Sequence, residues 1–215
     1  GDIYYTLRYK AAYDHLIVEC TISNRGDDVF RPEYSRLFIG VDSEMKTYPD
    51  WDTKFFPTLL RCEKDFAWGY FMSPRQIIMG IGVEEPVASY TLNYVYEGSM
   101  EWKWGHQIKT GSLDLLHCLP LPERHPQNNL SLKPHETRKW TLHLGVVDRL
   151  AGVKEKLSQW IQAPMIECEK YTMAGHETSR LLIHSQSGLE KLIVKAPDGT
   201  QSVLPVDGVA DNVYS

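Results

Sequence analysis

Arg138-Lys139-Trp140-Thr141-Leu142-His143-Leu144-Gly145-Val146-Val147 carries apolar side chains at Trp140, Leu142, Leu144 and Val146, with polar or small residues at most positions between them. A period of two is the signature of a half-buried β-strand. Leu16, Val18, Cys20 and Ile22 repeat the pattern near the other end of the chain, and Ile3, Tyr5, Leu7 and Tyr9 share one face of a strand before them. Tyr13-Asp14-His15 reads as the turn between these two strands, and Asn24-Arg25-Gly26-Asp27-Asp28 as the polar turn that follows. Leu37, Ile39 and Val41 predict a third strand. A long irregular stretch from Asp42 to Thr58 follows, with Trp51, Phe55, Phe56 and two prolines.

Further strands are predicted at Thr58–Glu63, Phe66–Met72, Gln76–Val83 and Ser89–Tyr96, with Ser73-Pro74-Arg75 as a hairpin turn. Trp104–Leu116 reads as one or two strands, and Leu119–Leu132 as loop. Only one segment has helical spacing. Leu150, Val153, Leu157, Trp160 and Ile161 fall on one helical face, Asp148 is the expected N-cap, and Pro164 ends the run. Short strands then return at Ile166–Met173, Arg180–Ser185, Leu189–Ala196 and Ser202–Val206.

Roughly ten strands precede the helix and about three or four follow, at spacings typical of an antiparallel sandwich. No βαβ alternation is present, which argues against a parallel-sheet enzyme. The expected architecture is all-β: a large antiparallel β-sandwich over 1–148, a linker helix over 149–163, and a small or partial immunoglobulin-like β unit over 164–215.

The 215 residues are 42% hydrophobic and 24% charged, a globular composition. A formal net charge of −5 argues against a nucleic-acid partner. No apolar run reaches the ~18 residues of a membrane helix. Gly1 in place of Met, and a final β unit too short for a complete immunoglobulin-like set, suggest a fragment of a longer protein. Its expected location is secreted or periplasmic. Cys20, Cys62, Cys118 and Cys168 lie far apart without a C-x-x-C spacing, and are expected to be free, mostly buried thiols. The eight histidines include no H-E-x-x-H or H-x-H pair, so no metal is expected. No glycine-rich phosphate loop or other cofactor motif appears, and no cofactor is expected.

Aromatics next to carboxylates suit a sugar ring, whose C–H faces stack on an aromatic while its hydroxyls take hydrogen bonds. Trp51 with Asp50 and Asp52 has that composition. So does Trp102-Lys103-Trp104-Gly105-His106, where Trp102 and Trp104 share a face if the segment is extended. Arg61 and Glu63 fall on the same strand face and suit an ion pair lining a cleft. These residues are the candidate carbohydrate contacts; each has an alternative role in core packing or on a solvated face. Asp50, Asp52, Glu63, Glu101 and Asp114 are available carboxylates, but the sequence selects no acid/base pair among them. No nucleophile motif is present.

The runs Phe56-Pro57-Thr58-Leu59-Leu60-Arg61-Cys62-Glu63, Trp68-Gly69-Tyr70-Phe71-Met72-Ser73-Pro74, Glu85-Pro86-Val87-Ala88-Ser89-Tyr90, Leu119-Pro120-Leu121-Pro122 and Arg124-His125-Pro126 together resemble a known family. It is the N-terminal β-sandwich, or supersandwich, of large secreted bacterial glycoside hydrolases. The resemblance covers about residues 1–163. It implies a non-catalytic module that packs on a downstream (α/α) toroid of the same polypeptide, with an oligo- or polysaccharide as partner. It carries over no catalytic residue. Two other functions fit the composition: a free-standing carbohydrate-binding module, and a small sandwich-fold lyase or mutarotase-like enzyme drawing on Tyr70, His106 and Arg61.

Overall fold

The stretch around Trp140 folds as β9 (Thr137–Val147), the strand on which the larger sheet is assembled. The computed structural model describes residues 1–40, 55–96, 106–117 and 127–215, with backbone alone for 93–96, 106–110 and 127. The chain divides into two units, Gly1–Leu150 and Ala151–Ser215.

In the first unit the strands before β9 are β1 (Ile3–Ala11), β2 (His15–Asn24), β3 (Tyr34–Gly40), β4 (Phe56–Cys62), β5 (Ala67–Met72), β6 (Ile78–Val83), β7 (Ser89–Tyr96) and β8 (His106–His117). They form a six-stranded sheet in the order β1-β2-β9-β6-β5-β4 and a three-stranded sheet in the order β3-β8-β7. Every pairing is antiparallel. One core joins the two layers. Val18, Cys20 and Ile22 of β2, Leu60 of β4, Phe71 of β5, Ile81 and Val83 of β6, and Trp140 and Leu142 of β9 meet Ile39, Leu113, Leu115 and Leu116 of the smaller sheet.

Register explains this layering. Cys20 lies opposite Trp140, and Val18 opposite Leu142, which has Val83 on its other side. Directly opposed residues point to the same face, so the alternation read in each strand adds into one apolar surface. Each fully buried aliphatic side chain contributes about 1.5–3 kcal/mol. Trp140 is fully buried and donates its indole N–H to the Pro86 carbonyl at 3.0 Å, so its polar atom is not stranded.

Asn24 both ends β2 and starts the turn: its side-chain oxygen accepts from the Gly26 N–H at 3.1 Å, and its buried amide donates to the carbonyls of Asp28 (2.8 Å) and, beyond the turn, Lys133 (3.0 Å). Several expectations need correction. Tyr5, Leu7 and Tyr9 share the core-side face of the sheet, opposite Ile22, Cys20 and Val18, yet are 57%, 44% and 64% exposed. The six-stranded layer is wider than the three-stranded one, so β1 overhangs it; only Ile3 of that set packs on the core. Trp104–Leu116 contributes one described strand, beginning at His106. Most of the irregular stretch Asp42–Thr58, together with Val41 and most of the Leu119–Leu132 loop, lies outside the described residues. The turn at Ser73-Pro74-Arg75 does join β5 to β6. The Gln76 N–H donates to the Ser73 carbonyl at 2.9 Å with Gln76 at φ 63°.

In the second unit, α1 (Val153–Ile161) buries Val153, Leu157, Trp160 and Ile161, the face its spacing predicts. Its N-cap is not Asp148. A 3-10 turn over Leu150–Gly152 precedes it, and Gly152 occupies the cap position without a side-chain hydrogen bond, which leaves Leu150 exposed. Gln162 closes the C-terminus in the left-handed region (φ 54°), ahead of Pro164. The strands here are shorter than expected: β10 (Met165–Cys168), β11 (Leu181–His184), β12 (Leu192–Lys195), β13 (Gln201–Leu204), β14 (Val209–Ala210) and β15 (Val213–Tyr214). They form a four-stranded sheet, β10-β11-β15-β14, and a separate β12-β13 hairpin. Asp211 and Asn212, both at positive φ, turn β14 into β15.

Cys20, Cys62 and Cys168 are free thiols, and Cys118 lies outside the described residues. Burial pushes Cys20 up to about 11, and burial together with the charges of Asp114 and Glu63 pushes Cys62 up to about 12. Both thiols are therefore protonated and unreactive at neutral pH.

Two outcomes follow from this packing. A Cβ at Gly69 would lie 2.2 Å from the Leu59 carbonyl oxygen, a backbone atom, whereas at Gly111 it would meet the Phe71 ring at 2.6 Å. Gly69→Ala is expected to destabilise by about 3 kcal/mol or more, and Gly111→Ala by less because a ring tip can shift; urea unfolding of the two variants measures the order. Glu19 accepts from Lys10 and Lys139, both at 2.9 Å, and these bonds lower its carboxyl to about 2. A depressed carboxyl stabilises the fold above its ordinary value of 4.5 and loses that contribution as pH falls through about 2. Glu19→Gln should flatten the decline in melting temperature over that window.

Candidate functional site

The outer face of the six-stranded sheet, opposite the core, carries several chemistry-bearing side chains. Leu60 and Gly69 point inward, so Arg61 and its partner Trp68 point outward. Following the register across the sheet, one outward row runs Arg61, Trp68, Gly82, His143, Ile17, Lys10. The next runs Leu59, Tyr70, Gly80, Gly145, His15. The three glycines leave a strip without side chains between two aromatics and two imidazoles.

At one side of the strip, Glu63 accepts from the Trp68 indole N–H at 3.0 Å and faces Arg61 Nε at 3.3 Å. The structure thus brings Arg61 and Glu63 together, with side chains 53% and 35% exposed. An ion pair this wet is worth under about 1 kcal/mol. Its chemistry suits a polar ligand at the sheet rim: a guanidinium donor and a carboxylate acceptor, with the Trp68 indole buried behind them.

At the other side, four groups follow one another. Asp14 Oδ1 lies 2.7 Å from His15 Nδ1, His15 Nε2 lies 2.9 Å from His143 Nδ1, and His143 Nε2 lies 2.8 Å from Glu84 Oε1. The two rings are tilted by 41° with centroids 5.0 Å apart. Burial holds His143 below the ordinary imidazole value, with Glu84 acting the other way and His15 in the same direction. Next to this chain, Glu85 accepts from Thr141 N–H at 2.6 Å and from the Thr141 hydroxyl at 3.2 Å, while burial raises its carboxyl.

The smaller sheet holds a third cluster. Asp114 of β8 is buried and accepts from Arg36 Nε and from the Ser89 hydroxyl, both at 2.5 Å. Arg36 stacks on the Tyr34 ring at 4.1 Å. Both oxygens of this carboxylate are engaged, so it reads as a structural tie between β3, β8 and β7 rather than as an acid or base.

Of the sequence candidates, Trp51, Asp50, Asp52, Trp102 and Trp104 lie outside the described residues. The His106 backbone opens β8, but its side chain is not described. No group of three His, Cys, Asp or Glu that could hold a metal ion occurs among the described residues. No described helix is long and apolar enough to cross a membrane. Sequence reasoning missed the Asp14–His15–His143–Glu84 chain. His15 reads as part of a turn and Glu84 as part of a strand break, and His143 is 128 residues from His15. Only the sheet register joins them.

With the layers and their strand order in view, the chain can be set beside solved structures. The fold recurs in a polysaccharide lyase. That match has a TM-score of 0.69 at 17% sequence identity, and it covers 100% of this chain and 30% of the lyase. At this identity the likeness is one of fold. The chain spans less than a third of the length of the protein it matches. No protein-family model matches the chain, and no curated protein matches it. The resemblance seen in the sequence was to glycoside hydrolases, whereas the solved match is a lyase. The element common to both is the β-sandwich.

The clusters differ in what they should cost to break. Arg61→Ala removes half of a wet pair and is expected to change stability by under about 1 kcal/mol. Asp114→Ala strands Arg36 and the Ser89 hydroxyl and is expected to cost about 3 kcal/mol. Denaturant midpoints of the two variants measure this difference.

Proposed function

We propose that this chain is the β-sandwich module of a larger polysaccharide-degrading enzyme, and that it acts as scaffold for a catalytic domain elsewhere in the same polypeptide. The observation that carries the reading is the match over the whole chain to only 30% of a polysaccharide lyase. The charged rim at Arg61 and Glu63, with Trp68 buried behind it, supports contact with a glycan, since an exposed guanidinium and carboxylate can exchange hydrogen bonds with sugar hydroxyls. The solved match favours a lyase as the parent over the glycoside hydrolase suggested by the sequence runs. The reaction class resides in the remainder of the parent, because fold alone does not set function. A polymeric substrate does not cross a membrane, which supports a secreted or periplasmic place of work.

The test compares the isolated chain with its parent polypeptide on a panel of uronate-containing and neutral polysaccharides. Unsaturated products are read by ultraviolet absorbance and reducing ends by a colour assay. The module reading expects turnover by the parent and none by the chain alone. Turnover by the chain alone overturns it. Quenching of tryptophan fluorescence by oligosaccharides, abolished by Trp51→Ala or Trp102→Ala, together with an inactive parent, replaces it with a free-standing binding module.

A further inference from the structure

We propose that the outer face of β1, β2 and β9 is a binding platform for an acidic polysaccharide, gripped by the guanidinium groups of Arg8 and Arg25 beside the hydroxyls of Thr6 and Thr21. The alternation that turns Tyr5, Leu7 and Tyr9 to the core side of β1 turns Tyr4, Thr6, Arg8 and Lys10 to the other. Register sets Thr6 opposite Thr21, which lies opposite Lys139, and sets Arg8 opposite Glu19. Tyr4 to Lys10 spans roughly 20 Å along the strand, room for several sugar rings.

Charge is distributed unevenly here. The chain has a formal net charge of −5, yet this face gathers Arg8, Lys10, Lys139 and, from the turn after β2, Arg25 around the single carboxylate of Glu19. Lys10 and Lys139 share that carboxylate and their side chains remain 59% and 50% exposed. Arg8 is exposed and, among the described residues, has no hydrogen-bond or ion-pair partner. Arg25 is exposed as well and rests over the Tyr4 ring at 4.2 Å, which fixes its position without using its N–H donors. Other carboxylates stand at the borders of the face. Asp2 lies beside Gly26, and at the β6 side Glu84 and Glu85 are engaged by His143 and Thr141.

Two uncommitted guanidinium groups fork onto the paired oxygens of a carboxylate or a sulfate. The Thr6 and Thr21 hydroxyls both donate and accept, as sugar hydroxyls require. Other polyanions fit less well. A single-stranded nucleic acid needs free aromatic faces for its bases, and the tyrosine here already carries Arg25. A lipid surface needs apolar side chains to insert, and the outward positions Thr6, Arg8 and Lys10 offer none. The choice of a glycan rests on the reading of the chain as a module of a polysaccharide-degrading enzyme; the site itself is argued from its charge and hydroxyls.

The test measures binding of the whole chain to polygalacturonate, heparin and dextran by isothermal titration calorimetry at low and high salt. Polygalacturonate presents carboxylates, heparin mainly sulfates, and dextran neither. At least one acidic polymer is expected to bind, more weakly as salt screens the contact, while dextran does not. The tighter of the two acidic polymers identifies the anionic group. Arg8→Gln or Arg25→Gln should weaken binding about threefold, and the two together about tenfold or more, the scale of a lost charge-assisted hydrogen bond. Lys195→Gln, which removes the same charge from an exposed strand of the second unit, should leave binding unchanged. Failure of both acidic polymers to bind overturns the proposal, as does equally tight binding of dextran or of double-stranded DNA. An equal loss in Lys195→Gln overturns it by showing that only overall charge is sensed. A loss confined to Arg61→Gln overturns it by moving the contact to the rim. The module reading is scored separately, by turnover of the parent, so it survives each of these failures.

Discussion

The pairing of β9 with β2 is the constraint on which the larger sheet depends. It sets residues 15–23 beside 137–145, and β6 then docks on the free side of β9. Everything between must loop out and return before this contact forms. Loop-closure entropy grows only slowly with length, so the cost to stability is modest, but contacts this distant slow folding. The reward is concentrated in Trp140, Leu142 and Leu144, which complete the apolar surface begun by Leu16, Val18 and Cys20. The indole N–H on the Pro86 carbonyl then fixes the β6–β7 connection over the same core.

The two faces of the six-stranded sheet do different work for one reason. The inner face is mainly apolar in β2, β9, β6, β5 and β4, with Asn24 and Arg138 as polar members near one end, and it is covered by β3, β8 and β7. The outer face holds Arg61, Trp68, His143, His15 and Lys10 in rows set by the same register, with Gly80, Gly82 and Gly145 between them. Alternation assigns each residue to a face, and pairing decides which residues on a face become neighbours. The scaffold and its polar networks are therefore consequences of a single set of strand alignments.

The all-β class, the single helix and most strand positions were legible in the sequence because period two and helical spacing are local signals. What failed was tertiary. Nothing local marks the second sheet as narrower than the first, so the alternation of Ile3, Tyr5, Leu7 and Tyr9 gives their shared face but not which of them the core covers. Asp148 is a good cap by residue type, but the 3-10 turn shifts the helix start to Val153. Asn24 does form the turn, accepting from the Gly26 N–H and donating to Asp28, but its second bond, to the Lys133 carbonyl 109 residues away, had no local signal. Arg61 and Glu63 were visible because they are two residues apart. The imidazole–carboxylate chain was not, because its members come from three segments and meet only through the sheet.

The overhang of β1 has a bearing on how such a module behaves when separated from neighbours. Among the described strands β1 is an outermost member of its sheet, so one line of its backbone N–H and C=O groups is unclaimed, and its tyrosines stand beside that line. A bare strand margin flanked by greasy rings is a template for recruiting another chain. The cationic side chains of Arg8 and Lys10 lie along the same margin and repel a second copy brought up in register. Solubility of the separated module should thus depend on salt, which screens that repulsion while leaving the tyrosine surface as sticky as before.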